Sequence, residues 1–318
     1  MGKTDIITKK YMEDNHRFAD VVNYSIYDGE AVIEADQLEE QDPAELSLIS
    51  GWGGRDARQK YRDVLKKVVV KRTKTSVIAI IGIENQTDVH YAMPVRNLLY
   101  DAINYSNQLE EIARENRGKK GLERAEFLAG FKKTDRLIPV ITIVVYFGGK
   151  AWDGARRLHE ILDFKDERLK SAVPDYRINL VDPAEIQDFS KFKSSIRLLF
   201  QAIQASASMH QLQRLLEQHY DDYESFDRET GELIQELTHI PVNIDEKGAH
   251  MCTAIKEIRE YERNEGIKEG RRFGLEEGRK AERANTAREK ARADAAKARA
   301  DAAEALVAEL KAQIAAMK

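Results

Sequence analysis

An apolar run that ends in an acid is the feature that most constrains the fold of this chain. Residues 77–83 read Val-Ile-Ala-Ile-Ile-Gly-Ile and lead directly into Glu84, Asn85 and Gln86. A strand this apolar is typically buried on both faces of a sheet. Because strand side chains alternate, Glu84 and Gln86 point to the same face. A buried acid needs a partner to offset its desolvation, and a metal ion is the usual one.

A second acid supports a metal site. Asp63 lies on the hydrophobic segment that precedes this strand. Two carboxylates and one amide that converge on a point describe a divalent-metal site suited to phosphodiester hydrolysis. Taken singly, each acid has a simpler explanation: Asp63 as a surface or turn acid, and Glu84 as the partner of Arg96 in a salt bridge.

Charge is unevenly distributed along the chain, although the net charge is only −4. Residues 18–54 contain no Lys or Arg, whereas nine acids fall within residues 20–45. Residues 55–74 then hold nine basic residues, and residues 114–136 form a second basic stretch. These stretches predict either solvated faces of opposite sign or a surface that contacts phosphates.

Several classes of protein are disfavoured by the sequence. Cys252 is the only cysteine, so there is neither a disulfide framework nor the ligand spacing of a zinc site. Residues 1–10 mix charges and lack the apolar core of a signal peptide. No apolar stretch reaches the ~20 residues that a membrane-spanning helix needs. We therefore expect a cytoplasmic protein without a membrane partner.

Hydrophobic periodicity predicts an α/β fold in the first 183 residues. We expect helices at 5–25, 95–114, 123–131 and 156–162, and strands at 30–35, 63–70, 77–83, 137–147 and 176–181. The acidic, then glycine-rich segment 37–56 is predicted to be a surface loop, and 73–76 a hairpin turn. This order of elements predicts a mixed sheet covered by helices.

After Pro183 the pattern becomes helical. We expect amphipathic helices at 192–205, 209–219 and 230–237, and from His250 onward only glycine interrupts a helical pattern. A glycine recurs there at every fourth residue: Gly266, Gly270, Gly274 and Gly278. Because glycine costs a helix about 1 kcal/mol relative to alanine, this spacing indicates either a close backbone contact or a loosely helical spacer that frays. We divide the chain into residues 1–183, 184–248 and 249–318.

A heptad repeat follows the glycines. The sequence Lys-Ala-Arg-Ala-Asp-Ala-Ala occurs at residues 290–296 and again at 297–303. In this register one seam carries Ala293, Ala296, Ala300, Ala303, Val307, Leu310, Ile314 and Met317. Alanine buries little area, so the four larger residues at the end would supply most of the contact. The repeat predicts a homo-oligomeric coiled coil, with a lone charge-stabilised helix as the alternative.

Several short segments resemble one known family. They are 61–65 (Tyr-Arg-Asp-Val-Leu), 82–86 (Gly-Ile-Glu-Asn-Gln), 93–101 (Met-Pro-Val-Arg-Asn-Leu-Leu-Tyr-Asp), Phe18-Ala19-Asp20, 137–141 with 146–148, 152–154 and 176–180. In this order and spacing they resemble the recombination-promoting nuclease / putative transposase family, which belongs to the restriction-endonuclease-like superfamily with the site pattern PD-(D/E)XK. The resemblance extends over about residues 14–183, and more loosely over the helices that follow.

This resemblance implies a restriction-endonuclease-like core of helix, three strands, helix and strand, and magnesium-dependent cleavage of DNA, with Mn²⁺ as a substitute. Asp63 matches the aspartate of the second core strand and Glu84 the acid of the third, so both would hold the metal. Gln86 stands where the wider superfamily has lysine, and it could orient a water but supplies no positive charge.

Other residues are assigned to supporting roles. Asp20 on the first helix is the expected supporting acid, with Glu13 as its substitute. Arg96, Lys66 and Lys67 are the basic residues nearest to the site in the sequence, and we expect them to grip DNA phosphates. Tyr100 is interpreted as a packing residue, and Asp101 as a hydrogen-bonded structural residue.

Two further hypotheses compete with an active endonuclease. Gln86 in the place of lysine and the acidic net charge favour a catalytically weak or inactive DNA-binding and assembly protein that retains the nuclease fold. Alternatively, the C-terminal helix is the functional part, as an oligomerisation or partner-binding arm.

Overall fold

The computed structural model describes residues 3–41, 63–70 and 76–316, without the side chains of 69–70, 76–78, 252–262, 310 and 312–316. Residues Met1–Ile255 form one compact unit and Lys256–Lys318 a second. The predicted hairpin turn and most of the predicted loop 37–56 lie outside the described residues. No helix in the described part of the chain is long and apolar enough to cross a membrane.

The first unit contains eight helices and seven strands within the described ranges. The helices are α1 (Lys3–Met12), α2 (Asn15–Tyr27), α3 (Met93–Asn116), α4 (Arg124–Ala129), α5 (Ile196–Ala205), α6 (Met209–Gln218), α7 (Tyr220–Glu224) and α8 (Arg228–Thr238). The strands are β1 (Leu38–Glu40), β2 (Val64–Val70), β3 (Ser76–Gln86), β4 (Val140–Tyr146), β5 (Asn179–Val181), β6 (Asn243–Asp245) and β7 (Gly248–His250).

A five-stranded mixed sheet has the order β1-β2-β3-β4-β5. The first three strands are antiparallel, and β3, β4 and β5 are parallel. Strands β6 and β7 form a separate antiparallel pair. The mixed sheet covered by helices is therefore confirmed, with the core order of helix, three strands, helix and strand.

The acidic and basic stretches of the sequence meet in this sheet. The antiparallel register of β1 and β2 places Glu39 opposite Lys67 and Glu40 opposite Lys66. Opposite charges at paired strand positions stabilise a sheet. The strand register therefore places part of the acidic stretch next to part of the basic stretch within the fold.

Helix α3 covers one face of the sheet. Leu65 of β2, Ile80 of β3 and Val140 of β4 pack with Ile103 of α3 in one buried cluster. A second cluster joins Met93, at the start of α3, to Val144 and Tyr146 of β4. We call this side of the sheet the α3 face.

Helix α2 lies on the opposite side, the α2 face. The ammonium group of Lys66 on β2 lies 5.2 Å from the centre of the Phe18 ring on α2. Residues after 183 pack against the same helices. Arg17 of α2 forms ion pairs with Asp227 at 2.9 Å and with Glu229 of α8 at 2.6 Å. The subdivision of the first unit at residue 183 stays a prediction.

Three predicted elements are wrong in detail. The single helix 5–25 is two helices, because Asp14 caps α2 by accepting a hydrogen bond from the backbone of Arg17 at 3.0 Å. Residues 30–35 do not form a strand, because the side chain of Asn23 satisfies the backbone of Val32 and Ile33. The helix 156–162 is only a short 3₁₀ turn, Leu158–Ile161, which follows an isolated bridge between Arg157 and Arg177.

Helix α9 (Cys252–Ala316) begins at the end of the first unit and forms the described part of the second. The helix continues through all four glycines of the stripe. A Cβ atom added at any of them would meet no atom within 4 Å. The described part of the chain therefore makes no close backbone contact at this stripe.

Candidate functional site

The C-terminal end of β3 positions the two residues that the sequence singled out. Glu84 pairs with Val144, and Gln86 with Tyr146, on the parallel neighbour β4. Because Val144 and Tyr146 pack against α3, Glu84 and Gln86 lie on the α3 face as well. Glu84 is fully buried, whereas Gln86 is partly exposed.

Asp63 lies beside Glu84 at the start of β2. At this end of the antiparallel register Val64 pairs with Ile83, so the next position places Asp63 opposite Glu84. One Asp63 carboxylate oxygen, Oδ2, accepts a hydrogen bond from the backbone N–H of Asn85 at 2.8 Å. The structure thus brings the two predicted acids to the same end of adjacent strands.

Arg96 of α3 reaches the same place from above the sheet. Its Nη2 lies 3.0 Å from Oε2 of Glu84, so the predicted salt bridge between Glu84 and Arg96 is present. The Arg96 Nε–H also donates to the hydroxyl of Tyr100 at 3.1 Å. About 29% of the Arg96 side chain is exposed, so its guanidinium can meet a ligand arriving from solvent.

Burial shifts the pKa values of the ionisable side chains at this site. Burial raises the pKa of Asp63, and the N–H of Asn85 and the charge of Arg96 only partly oppose that shift. Burial lowers the pKa of Arg96, but Glu84 and Tyr100 outweigh burial, so the pKa is raised overall. The pKa of Tyr100 is raised by burial and by Glu84. Burial therefore disfavours the charged form of Asp63, and the Asn85 N–H and then Arg96 favour it.

Gln86 completes the edge of the site. Its amide nitrogen donates to the backbone oxygen of Asn85 at 2.9 Å, which leaves the amide oxygen as the atom that can meet a ligand. Asn85 points to the other face and is buried. Its side-chain amide has no hydrogen-bond partner among the residues that the structure describes.

Aromatic residues form the wall next to Gln86. The backbone N–H of Phe147 donates to the backbone carbonyl oxygen of Gln86 at 2.8 Å, which continues the β3–β4 pairing. The Tyr146 ring meets the Trp152 ring edge-on, with 5.3 Å between centroids. A Cβ at Gly148 would lie 2.1 Å from the Tyr146 ring, so only glycine fits there.

Residues behind the site support α3, as expected for Asp101. Its carboxylate accepts hydrogen bonds from the Thr142 hydroxyl at 2.6 Å and from the Tyr176 hydroxyl at 2.5 Å. These bonds tie α3 to β4 and to the segment before β5. Tyr100 is buried as expected, but its hydroxyl also holds Arg96, a role that packing alone did not predict.

Two predicted site residues are committed elsewhere. Both carboxylate oxygens of Asp20 accept hydrogen bonds from the backbone of Lys193, and one of them also from the backbone and hydroxyl of Ser194. Lys66 is fully buried on the α2 face, where it donates to the Glu13 oxygen and to Asn15. Neither residue faces the site, so we assign both a structural role.

The remaining predicted residues are placed as follows. Lys67 is partly exposed and, by alternation, shares the α3 face with Asp63. The Glu13 side chain is exposed, and its backbone oxygen serves Lys66. Within the described ranges no cluster of three or more His, Cys, Asp or Glu side chains could hold a metal ion. A metal at Asp63 and Glu84 would thus rely on two carboxylates, water and substrate, which is a donor set that Mg²⁺ accepts.

The mixed five-stranded sheet, its helices and the long C-terminal helix define an α/β protein. The family model described as "Putative transposase, YhgA-like" matches residues 4–233, which is most of the chain. The chain therefore belongs to the YhgA-like putative transposase family, a family linked to mobile DNA. No curated protein and no solved structure matches it.

Proposed function

We propose that this protein is a magnesium-dependent DNA endonuclease that acts in recombination or on mobile DNA. The observation that carries the proposal is the placement of Asp63 opposite Glu84, with Gln86 on the same face at the end of β3. Membership of a transposase family agrees with DNA as the substrate. The donor atoms at this edge are all oxygens, as Mg²⁺ prefers.

Each residue has a separate task in this proposal. Asp63 and Glu84 would hold the metal through their carboxylates. A bound Mg²⁺ would lower the pKa of a water and neutralise charge on the phosphate. The Gln86 amide oxygen accepts a hydrogen bond from the attacking water and so orients it. The hydrogen bond from Asn85 to Asp63 fixes one carboxylate oxygen and leaves the other to the ligand.

Arg96 supplies the positive charge that Gln86 lacks. Its guanidinium lies 3.0 Å from Glu84 and is partly exposed, so it can contact a scissile phosphate and the acid together. A guanidinium remains charged at any physiological pH and offers several donors to phosphate oxygens. The cation of the site therefore comes from α3 rather than from β3.

The test is cleavage of supercoiled plasmid by full-length protein in Mg²⁺, in Mn²⁺ and in EDTA. Asp63→Asn and Glu84→Gln should each lower the rate at least about 100-fold, because each removes a ligand of the metal. Asp163→Asn, a surface acid paired with Lys165, is the matched control and should cleave as the wild type does. Mg²⁺ should also raise the unfolding temperature of the wild type but not of Asp63→Asn.

Cleavage that survives both substitutions would sink this assignment of the site. The second candidate, a DNA-binding protein without catalysis, is favoured by Gln86 and by the ion pair that Arg96 already forms with Glu84. It predicts DNA binding that is sensitive to salt and indifferent to Mg²⁺, with no cleavage of any substrate.

We further propose that α9 joins copies of this chain. All of the described side chains of the helix except Glu265 are exposed, and Val307 on the heptad seam is 49% exposed. A second copy of the same heptad seam is the partner that matches it in length and pattern. Removal of residues 266–318 should reduce the mass in solution to that of a monomer, and an unchanged oligomer would contradict the proposal.

A further inference from the structure

A basic region at the far end of α3 is not explained by the site or by the core. We call residues 114–136 the basic lobe; it comprises the last turn of α3, helix α4 and the loops on either side of α4. It contains eight basic and four acidic residues. Seven of its basic side chains are exposed: Arg114, Arg117, Lys119, Lys120, Arg124, Lys133 and Arg136. Lys132 is partly exposed.

The basic lobe has a defined structure. Asn116, at the end of α3, is buried and donates to the Gly130 oxygen at 3.0 Å and to Asp135 at 2.9 Å. Gly130 has a positive φ of 67°, and a Cβ there would lie 2.7 Å from the Cβ of Ala113. The end of α4 is therefore packed tightly against α3, and the exposed cations stand on a fixed support.

Two of the four acids of the basic lobe, Asp135 and Glu126, hold its backbone together, and Glu123 pairs with Lys133 at 3.6 Å. Asp135 accepts hydrogen bonds from the Lys132 N–H at 2.8 Å and from Asn116, and both bonds lower its pKa. Glu126 accepts from the backbone of Glu123 and of Lys133, each at 3.2 Å. These carboxylates are engaged by the lobe's own backbone, whereas most of the cations face solvent. The surface is therefore strongly positive.

Two large apolar side chains stand among these cations. Phe127 and Leu128 of α4 are 71% and 74% exposed, which is more than any other large hydrophobic residue of the described chain. An adjacent apolar pair of this kind usually marks an interaction site. A partner that fits must present negative charge around an apolar interior. Duplex DNA does so, with phosphates outside stacked bases, and apolar side chains of this size insert between base steps.

We propose that the basic lobe is a second DNA contact, in which exposed cations bind phosphates and Phe127 and Leu128 insert at a base step. Helix α3 rises about 1.5 Å per residue, so Arg96 and Arg117 lie about 30 Å apart along it. That distance corresponds to about nine base pairs of B-form DNA. This inference deepens the proposed function but does not depend on cleavage, because it concerns binding alone.

The experiment measures binding of the full-length Asp63→Asn protein to a labelled 30-base-pair duplex in EDTA over a range of KCl concentrations. The lobe variant adds Arg117→Glu, Lys120→Glu and Arg124→Glu. The matched control adds Lys165→Glu, Arg168→Glu and Lys170→Glu, which makes the same change of charge. Those three control residues are exposed and paired locally with Asp163, Asp166 and Glu167.

The lobe variant should bind at least about tenfold more weakly than the control, with a log–log salt slope reduced by about 3. A third variant, Phe127→Ala with Leu128→Ala, should lose several-fold in affinity with an unchanged slope, because it removes no charge. Circular dichroism checks that all variants fold. Equal affinities for the lobe variant and the control would overturn the proposal.

The other outcomes are also decisive. If the double alanine variant lowers self-association and leaves DNA affinity unchanged, the apolar pair binds a second copy of the chain and the insertion into DNA is wrong. If the wild type never cleaves DNA but the lobe variant still binds more weakly than the control, the nuclease proposal fails and the lobe proposal stands. If the wild type cleaves DNA but the lobe variant binds as tightly as the control, the nuclease proposal stands and the lobe proposal fails.

Discussion

The two faces of the central sheet both bury charged side chains, but with different consequences. On the α2 face, Asp20 accepts hydrogen bonds from backbone N–H groups and a hydroxyl. Lys66 donates hydrogen bonds to a backbone oxygen and to an amide oxygen. On the α3 face, Asp63 has a pKa raised by burial, and Glu84 is balanced by a partly exposed arginine. Buried charge on the α2 face fixes chain segments to one another. On the α3 face buried charge is retained at a cost in stability, which is common at functional sites.

The largest stability effect should come from the α2 face. Asp20→Ala removes the acceptor of several partly buried hydrogen bonds and leaves the N–H groups of Lys193 and Ser194 without this partner. We expect a loss of about 2–4 kcal/mol in the free energy of unfolding, measured in urea. Asp163→Ala, on the surface, should change it by less than about 0.5 kcal/mol. If Asp20→Ala kept its stability and lost cleavage, Asp20 would belong to the site after all.

Lys66 should give the next effect and a pH signature. Lys66→Met removes hydrogen bonds that hold the turn between α1 and α2 to β2, at a cost of about 1–3 kcal/mol. Burial lowers the pKa of Lys66 in the folded protein, while Glu40, Asp14 and Glu13 oppose this shift. Between that lowered pKa and the ordinary value, the unfolded chain binds more protons, so stability contributed by Lys66 rises with pH.

The stability gap between wild type and Lys66→Met should therefore widen as pH increases from 8 to 10. Urea unfolding at each pH measures it, with Lys67→Met as the control on the other face of the same strand. A gap that narrows with rising pH would show that the charged form of Lys66 is favoured by folding.

The smallest effect should be a gain on the α3 face. Asn97 of α3 is fully buried, and neither its amide oxygen nor its amide nitrogen has a hydrogen-bond partner in the described part of the chain. Asn97→Leu should stabilise the protein by about 1 kcal/mol, because it replaces an unsatisfied amide with an apolar group of similar size. A higher unfolding temperature would confirm this. A lower unfolding temperature would show that the buried Asn97 amide stabilises the fold.

Much of the fold was predictable because apolar runs mark buried strands. Strands β2, β3 and β4 and helix α3 were predicted close to their observed places, although β3 continues to Gln86 rather than ending at Ile83. The absent strand at 30–35 could not be predicted, since a distant side chain, Asn23, satisfies its backbone. The pairing of Glu39 with Lys67 depends on a strand of only three residues within a predicted loop.

The site was predicted only in part, for a physical reason. The acids and Gln86 follow from one strand and its neighbour, whose side chains alternate in a fixed way. The same alternation indicates that Lys66 shares a face with Val64 and Val68, and this signal could have separated it from Lys67. Asp20 is different, because its partners lie far along the chain and no local pattern reveals them.

Trp152 provides a fluorescent reporter next to the candidate site. The chain has two tryptophans, Trp52 and Trp152, so Trp52→Phe leaves a single indole as the source of long-wavelength emission. That indole is 5% exposed and touches Tyr146, the strand partner of Gln86. A ligand that moves Gln86 or Tyr146 should change the intensity or wavelength of this fluorescence. Metal and DNA binding can then be followed in real time on unlabelled protein, even in variants that cut nothing.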